Sequence, residues 1–204
     1  MKTVKPISPA SKHPIQRAIA FVMLVALLPV FAVLFVFVKL DTRGPFIFKQ
    51  KRPGYMGQTF TAFKIRSMSM GSERTTRLGV TQSDPLITRV GWILRATKLD
   101  EIPQLMNIIK GEMCFVGPRP IPVALDRELR SLIPGFELRY TVPPGITSLA
   151  QICVNDNGLN EHLEHDWRDR FEAEVHYTRM RCAWYDLCVI AMTVMYIIRK
   201  VVLR

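Results

Sequence analysis

The alternation of apolar and polar positions divides the chain into a strongly apolar start, a polar and basic middle, and an apolar helix near the end. Ala18 to Val38 is an uninterrupted run of 21 uncharged, almost wholly apolar residues. As a helix rising about 1.5 Å per residue, it just reaches across a hydrocarbon core. Pro29 falls near the middle, where its missing N–H and its ring break or kink a helix. Basic residues stand on both sides: Lys2, Lys5, Lys12 and Arg17 before the run, then Lys39, Arg43, Lys49, Lys51 and Arg52 after it. Both flanks therefore read as facing the cytoplasm. The expected conformation is a re-entrant helix-break-helix over residues 17–43 that turns at Leu28-Pro29 and returns to the face it entered. A Pro-kinked spanning helix is the alternative. A cleavable signal peptide fits less well, because the apolar stretch is long and no small-x-small site follows.

Beyond Gly44-Pro45, Phe46-Ile47-Phe48 and Phe60 to Ile65 read as two short strands joined through the turn cluster Pro53 to Gly57. Residues 67–84 are polar and read as a loop. Thr88 to Lys98 interleaves Arg89, Arg95 and Lys98 with Val90, Trp92, Ile93 and Leu94, the pattern of an interfacial or surface helix. Ile102, Leu105, Met106 and Ile109 recur at helical spacing, and Gly111 is a natural stop. Glu161 to Arg181 is a charged helical pattern. Leu187 to Ile198 is twelve uncharged residues followed by Arg199 and Lys200, too short to span and suited to an interfacial or core helix.

A formal charge of +11, from 28 Lys and Arg against 17 Asp and Glu, adds attraction to polyanions: nucleic acid, an anionic bilayer or phosphorylated substrates. The four cysteines form no CxxC pair and sit mostly among apolar neighbours, which reads as small buried hydrophobes in a reducing compartment. His162 and His165 meet no established zinc spacing.

Candidate chemistry centres on Asp100 and Glu101. Asp100 suits an N-cap, with Glu101 and Pro103 in the first turn, and on this octapeptide alone a capping role outweighs a chemical one. The same geometry serves chemistry. A helix start keeps a carboxylate ionised and attracts phosphate, and successive side chains diverge by about 100°, so one carboxylate can attack phosphorus while the other holds a divalent metal. Lys64 and Arg66, two apart on a strand, could share a face and grip a phosphate, or merely guard a sheet edge. Arg119 is braced between Pro118 and Pro120, which present its guanidinium from a stiff loop.

The ordered set of Phe63 to Met68, Leu99 to Asn107, Val116 to Pro120 and Pro144 to Thr147, behind a Pro-broken apolar segment, resembles the bacterial sugar transferases, the monotopic phosphoglycosyl transferases. The resemblance implies an α+β, mostly helical monotopic membrane protein with a re-entrant helix-break-helix, a short hairpin and interfacial amphipathic helices. It also implies a division into a basic tail (1–16), a re-entrant helix (17–43) and a cytoplasmic interfacial catalytic domain (44–204). The implied reaction moves a phosphosugar from a UDP-sugar to polyprenol phosphate at the cytoplasmic face of the bacterial inner membrane and releases UMP. Asp100 would form a covalent phosphosugar intermediate, Glu101 would bind Mg²⁺, and Lys64, Arg66, Arg95 and Arg119 would hold phosphates. Pro118-Arg119-Pro120 would form a nucleotide-binding loop and Leu28-Pro29 the membrane turn. The chain departs from the family pattern at Ala20, Leu28, Cys114, Pro143 and Ser148, all outside the catalytic box. Anionic membrane lipids are expected partners, and a homodimer is left open. Nucleic acid is not expected, because no aromatic stacking platform or groove-reading helix accompanies the charge. The rival from another class is a membrane-tethered basic binding module without catalysis.

Overall fold

The structure, a computed structural model, describes residues 13–69, 84–153 and 163–202. Most of the loop expected at 67–84, and His162, lie outside these residues. The chain opens with α1 (Pro14–Ala26) and α2 (Leu28–Asp41), separated at Leu27 and bent by 58°. Pro29 occupies the first turn of α2, where a proline lacks no bond that the helix would otherwise make, so the break falls just before it. No single helix among the described residues is long and apolar enough to cross a membrane, but this bent pair is by length and composition.

An antiparallel hairpin follows, β1 (Ile47–Pro53) and β2 (Thr59–Ile65), registered from Ile47 opposite Ile65 to Pro53 opposite Thr59. Next come α3 (Arg89–Ala96), capped by the Thr88 hydroxyl on the Gly91 N–H, a 3-10 turn over Leu99–Gln104, and α4 (Leu105–Lys110), which stops at Gly111 with φ 83° as expected. A second small sheet pairs β3 (Cys114–Val116) in parallel with β4 (Gly145–Thr147). Parallel strands need a long crossover, and α5 (Val123–Leu132) lies within it. The Ile121, Leu125, Leu129, Ile133 spacing was the overlooked signal for α5; all four are buried in one cluster with Phe136 and Trp167. The chain ends in α6 (Leu149–Cys153), α7 (Leu163–Met180) and α8 (Ala183–Val202), the last longer than its uncharged stretch.

Packing explains how the apolar start is held. Ala20 on α1 is buried beside Phe60, Ala62, Leu105, Ile108 and Met113, and the Arg17 Nε donates to the Ile109 carbonyl at 2.7 Å. Fully burying residues such as Leu105, Ile108 and Met113 contributes about 1.5–3 kcal/mol each. On α2, Val38 packs with Ile65 and Leu94, and Asp41 accepts from the Val90 N–H. Phe21, Val25, Leu28, Val33, Phe37 and Leu40 remain exposed, so each helix has one face on the domain and an apolar face outward. The cysteines differ from expectation. Only Cys114 is buried, Cys153 and Cys182 are exposed, and all four are free. Cys153 is the last residue of α6 and Cys182 lies between α7 and α8, where apolar sequence neighbours do not bury a residue.

Candidate active site

The carboxylate pair sits on the 3-10 turn, and the chain enters that turn through Lys98 at φ 60°, a left-handed conformation for a residue with a Cβ. This costs about 1–2 kcal/mol, and such strain gathers at functional sites. It also corrects the expected role of Asp100, which makes no capping hydrogen bond and is the second residue of the turn rather than a cap. With α4 starting only at Leu105, the charge around Asp100 comes from side chains rather than from a helix end.

Those side chains arrive from four elements. Lys64 on β2 places its Nζ 3.1 Å from Glu101 Oε1 and 3.9 Å from Asp100 Oδ2. Asn107 keeps α4 against that strand: its amide donates to the Thr61 carbonyl and to Glu112, and its oxygen accepts from the Phe63 N–H. Arg119 grips Glu101 with both terminal nitrogens, Nη1 to Oε2 at 3.0 Å and Nη2 to Oε1. Arg95 on α3 donates to Ser67 Oγ at 3.0 Å and lies within the field of both carboxylates.

The Arg119 loop is pinned at every peptide. The Gly117 N–H reaches the Thr147 carbonyl at 3.0 Å, and the Pro118 carbonyl accepts from the Gly145 N–H at 3.1 Å. The Arg119 N–H donates to Glu174 Oε1, its carbonyl accepts from Arg139, and the Pro120 carbonyl accepts from Arg52 Nη1. Arg52, Arg139 and Glu174 were missed as site residues. Arg52 reads in sequence as one more charge beside the apolar run, but it is buried, and its charge interacts with Arg119, Glu101 and Asp100.

Arg66 is not brought to the carboxylates. Its Nη2 donates to the Thr42 carbonyl at 2.6 Å, at the end of α2. The Arg66 N–H still donates to the Phe46 carbonyl at 2.9 Å, continuing the hairpin register, so it is the side chain alone that turns to the end of α2. Leu28 and Pro29 open α2 in the bent pair.

The two carboxylates are electrostatically unlike. Burial pushes Glu101 up, but the charges of Arg119 and Lys64 and the Arg119 hydrogen bond more than offset this and hold it well below the ordinary carboxylate range. Asp100 is shifted up by burial, with Lys64 opposing and Glu101 reinforcing the shift. Burial pushes Lys64 down to about 8 despite both carboxylates. Asp100 Oδ1 is buried with no hydrogen-bond partner among the described residues. A bare buried carboxylate oxygen is costly to keep, and this one has its acceptor capacity open to a further group.

No group of three or more His, Cys, Asp and Glu side chains that could hold a metal occurs among the described residues. Mg²⁺ is commonly held by one or two carboxylates together with substrate phosphates, and the unpartnered Asp100 oxygen beside Glu101 fits that hard-oxygen donor set.

Five cations, Arg52, Lys64, Arg95, Lys98 and Arg119, thus act on two buried carboxylates, an excess of positive charge at one point of the molecule. Such an excess of positive charge favours anionic groups such as phosphates. The chain belongs to the bacterial sugar transferase family, whose model matches residues 7–200. It is similar to the UDP-glucose:undecaprenyl-phosphate glucose-1-phosphate transferase of Escherichia coli (strain K12), 39% identical over 176 residues that cover 86% of this chain and 38% of that one. It is 38% identical over 157 residues to the protein of the same name from Caulobacter vibrioides, covering 77% and 58%. It is 35% identical over 208 residues to the exopolysaccharide production protein ExoY of Sinorhizobium fredii, covering 94% and 87%. The chain therefore spans well under two thirds of the length of the two glucose-1-phosphate transferases.

Proposed function

We propose that the chain is a phosphoglycosyl transferase that moves a sugar phosphate from a UDP-sugar to a polyprenol phosphate. The observation that carries this reading is the bare Asp100 oxygen facing surplus positive charge. The five cations outnumber the carboxylates they face, Asp84 beside Arg95 and Glu174 beside Arg119 included, and a diphosphate and a lipid phosphate would take up the surplus. The relatives, named for transfer from UDP-glucose to undecaprenyl phosphate, support the same substrate pair.

In the proposed sequence, an oxygen of Asp100 attacks the sugar-bearing phosphorus. The bond from that phosphorus to the bridging oxygen breaks and UMP leaves with the electron pair. An oxygen of the polyprenol phosphate then attacks the same phosphorus, the bond to Asp100 breaks, and the carboxylate is restored. Arg119 and Lys64 keep Glu101 ionised and, with Arg52 and Arg95, hold the phosphate charge in line. Asp100 or Glu101 would hold Mg²⁺, which would supply charge neutralisation at the diphosphate.

The assay is UMP release from a panel of UDP-sugars with polyprenol phosphate in detergent or nanodiscs. Turnover should occur with one of them, fall at least about tenfold on chelation and return with Mg²⁺. Absence of UMP release with every sugar sinks the reading. With lipid withheld, a burst of UMP no larger than the enzyme concentration is expected, since the first step alone can run.

The pH profile tests Lys64. Its ammonium is lost as pH rises through about 8, removing a charge opposite both carboxylates. kcat/KM should therefore decline above about pH 8, and in Lys64→Arg, which stays charged, that alkaline limb should disappear. Identical limbs in the two enzymes would rule Lys64 out.

The bent pair is proposed to be re-entrant, with catalysis on the cytoplasmic face. Two arms of about 20 Å meeting at this bend, laid symmetrically, carry Leu27 about 10 Å deep, within one leaflet. Cysteines introduced at Ile15 and Lys49 should react from the same side of sealed vesicles, and labelling from opposite sides would show a span.

A further inference from the structure

We infer that the buried Arg139–Glu174 ion pair is a positioning device for Arg119, holding both main-chain polar groups of that residue and so aiming its guanidinium at Glu101. The inference rests on the transferase reading for its kinetic test, but its geometry stands apart from it. The two residues are 35 positions apart, and each is 2% exposed. Arg139 Nη2 lies 2.5 Å from the Arg119 carbonyl, 3.1 Å from Glu174 Oε1 and 2.9 Å from Glu174 Oε2. Glu174 Oε1 also accepts the Arg119 N–H at 2.9 Å.

An ion pair that served only stability would have no reason to divide itself between the donor and the acceptor of one residue. In Pro118-Arg119-Pro120 the prolines have no N–H, so the Arg119 amide is the sole main-chain donor of that tripeptide, and it goes to Glu174. Arg139 is itself immobilised: its guanidinium stands over the rings of Phe136 at 4.7 Å, Tyr140 at 5.8 Å and Trp167 at 5.9 Å. Held rigidly from α7 and from the segment after α5, the pair fixes the peptide planes of Arg119, and the direction of the side chain follows from them. The charge that Arg119 presents to Glu101 is thus set by two residues that hold the main chain of Arg119 rather than its guanidinium.

Replacing both members by apolar residues of similar size removes the two charges of the pair together, so the double variant Arg139→Met/Glu174→Leu is expected to fold. Misplacing a catalytic group by about 1 Å can cost about 10²-fold, and UMP release should fall by roughly that factor. In an Arg119→Ala background, the same double substitution should add less than about threefold, because the residue it positions is already gone. A merely structural pair would give multiplicative losses, and that result overturns the inference. A second measurement needs neither turnover nor the double variant: in ¹⁵N-arginine-labelled protein, the Arg119 amide should exchange with solvent at least about tenfold more slowly than an exposed arginine amide. Fast exchange in the unmodified protein also overturns the inference. If no UDP-sugar is turned over, the transferase reading falls alone and the amide measurement decides the pair.

Discussion

Asp100→Asn is expected to abolish UMP release, with kcat lower by at least about 10³-fold, while the protein stays folded. An amide cannot supply the electron pair that a carboxylate oxygen gives to phosphorus, so neither half of the proposed transfer can begin. The fold should tolerate the change because Asp100 is shifted toward its neutral form by burial and leaves Oδ1 without a partner. Neutralising it removes a cost rather than a bond, and the unfolding temperature should hold or rise. Steady-state UMP release and a thermal melt on the same preparation measure both. A variant retaining more than about a tenth of the activity would remove Asp100 as nucleophile. Contrast with Glu101 sharpens the assignment: its two oxygens are held by the half-buried Arg119 and Lys64, so its removal takes away the carboxylate they share and should destabilise the protein.

The second large effect is at a glycine. Gly145→Ala should destabilise by more than about 3 kcal/mol and cost activity as well. A Cβ at Gly145 would meet Gly117 N, Thr147 O at 2.6 Å and the Val116 carbonyl carbon at 2.6 Å. All are backbone, which cannot swing aside as a side chain can. The β3–β4 pair must part, and the bond from the Gly145 N–H to the Pro118 carbonyl is lost with it, loosening the loop that carries Arg119. Gly57→Ala is the control: it has a φ of +73° but nothing within 4 Å, so only local strain follows. Denaturant unfolding of both variants with the UMP assay tests the contrast. A Gly145→Ala protein as stable as Gly57→Ala would mean that the two strands do not cross this closely.

Much of the architecture was legible because it is local. The break near Pro29, the hairpin across the Pro53 to Gly57 turn, the helix after Thr88 and the stop at Gly111 all follow from single residues with restricted dihedrals or from a periodicity within one segment. The candidate chemistry was legible in part, because Asp100 and Glu101 are neighbours in sequence and Lys64 projects from a strand whose turn is visible.

What sequence could not decide is anything that depends on which segments meet. Lys64 and Arg66 look equivalent two residues apart, but the side chain of one reaches Glu101 and that of the other the Thr42 carbonyl. Arg52 looks like a membrane-flanking charge and instead closes over the Pro120 carbonyl, 68 residues away. Arg139 and Glu174 carry no local signature, since their role is written in hydrogen bonds to Arg119 from 20 and 55 positions off.

The sequence by itself determined the locally signalled elements, the basic balance and the adjacency of the two carboxylates, because dihedral preference and periodicity act over a few residues. Only the tertiary structure decided which cations surround them, that Asp100 keeps an unpartnered oxygen while Glu101 is clamped, and that Arg119 is held through its own peptide. Those outcomes depend on burial and long-range contact, where low effective dielectric turns proximity into strong electrostatic difference.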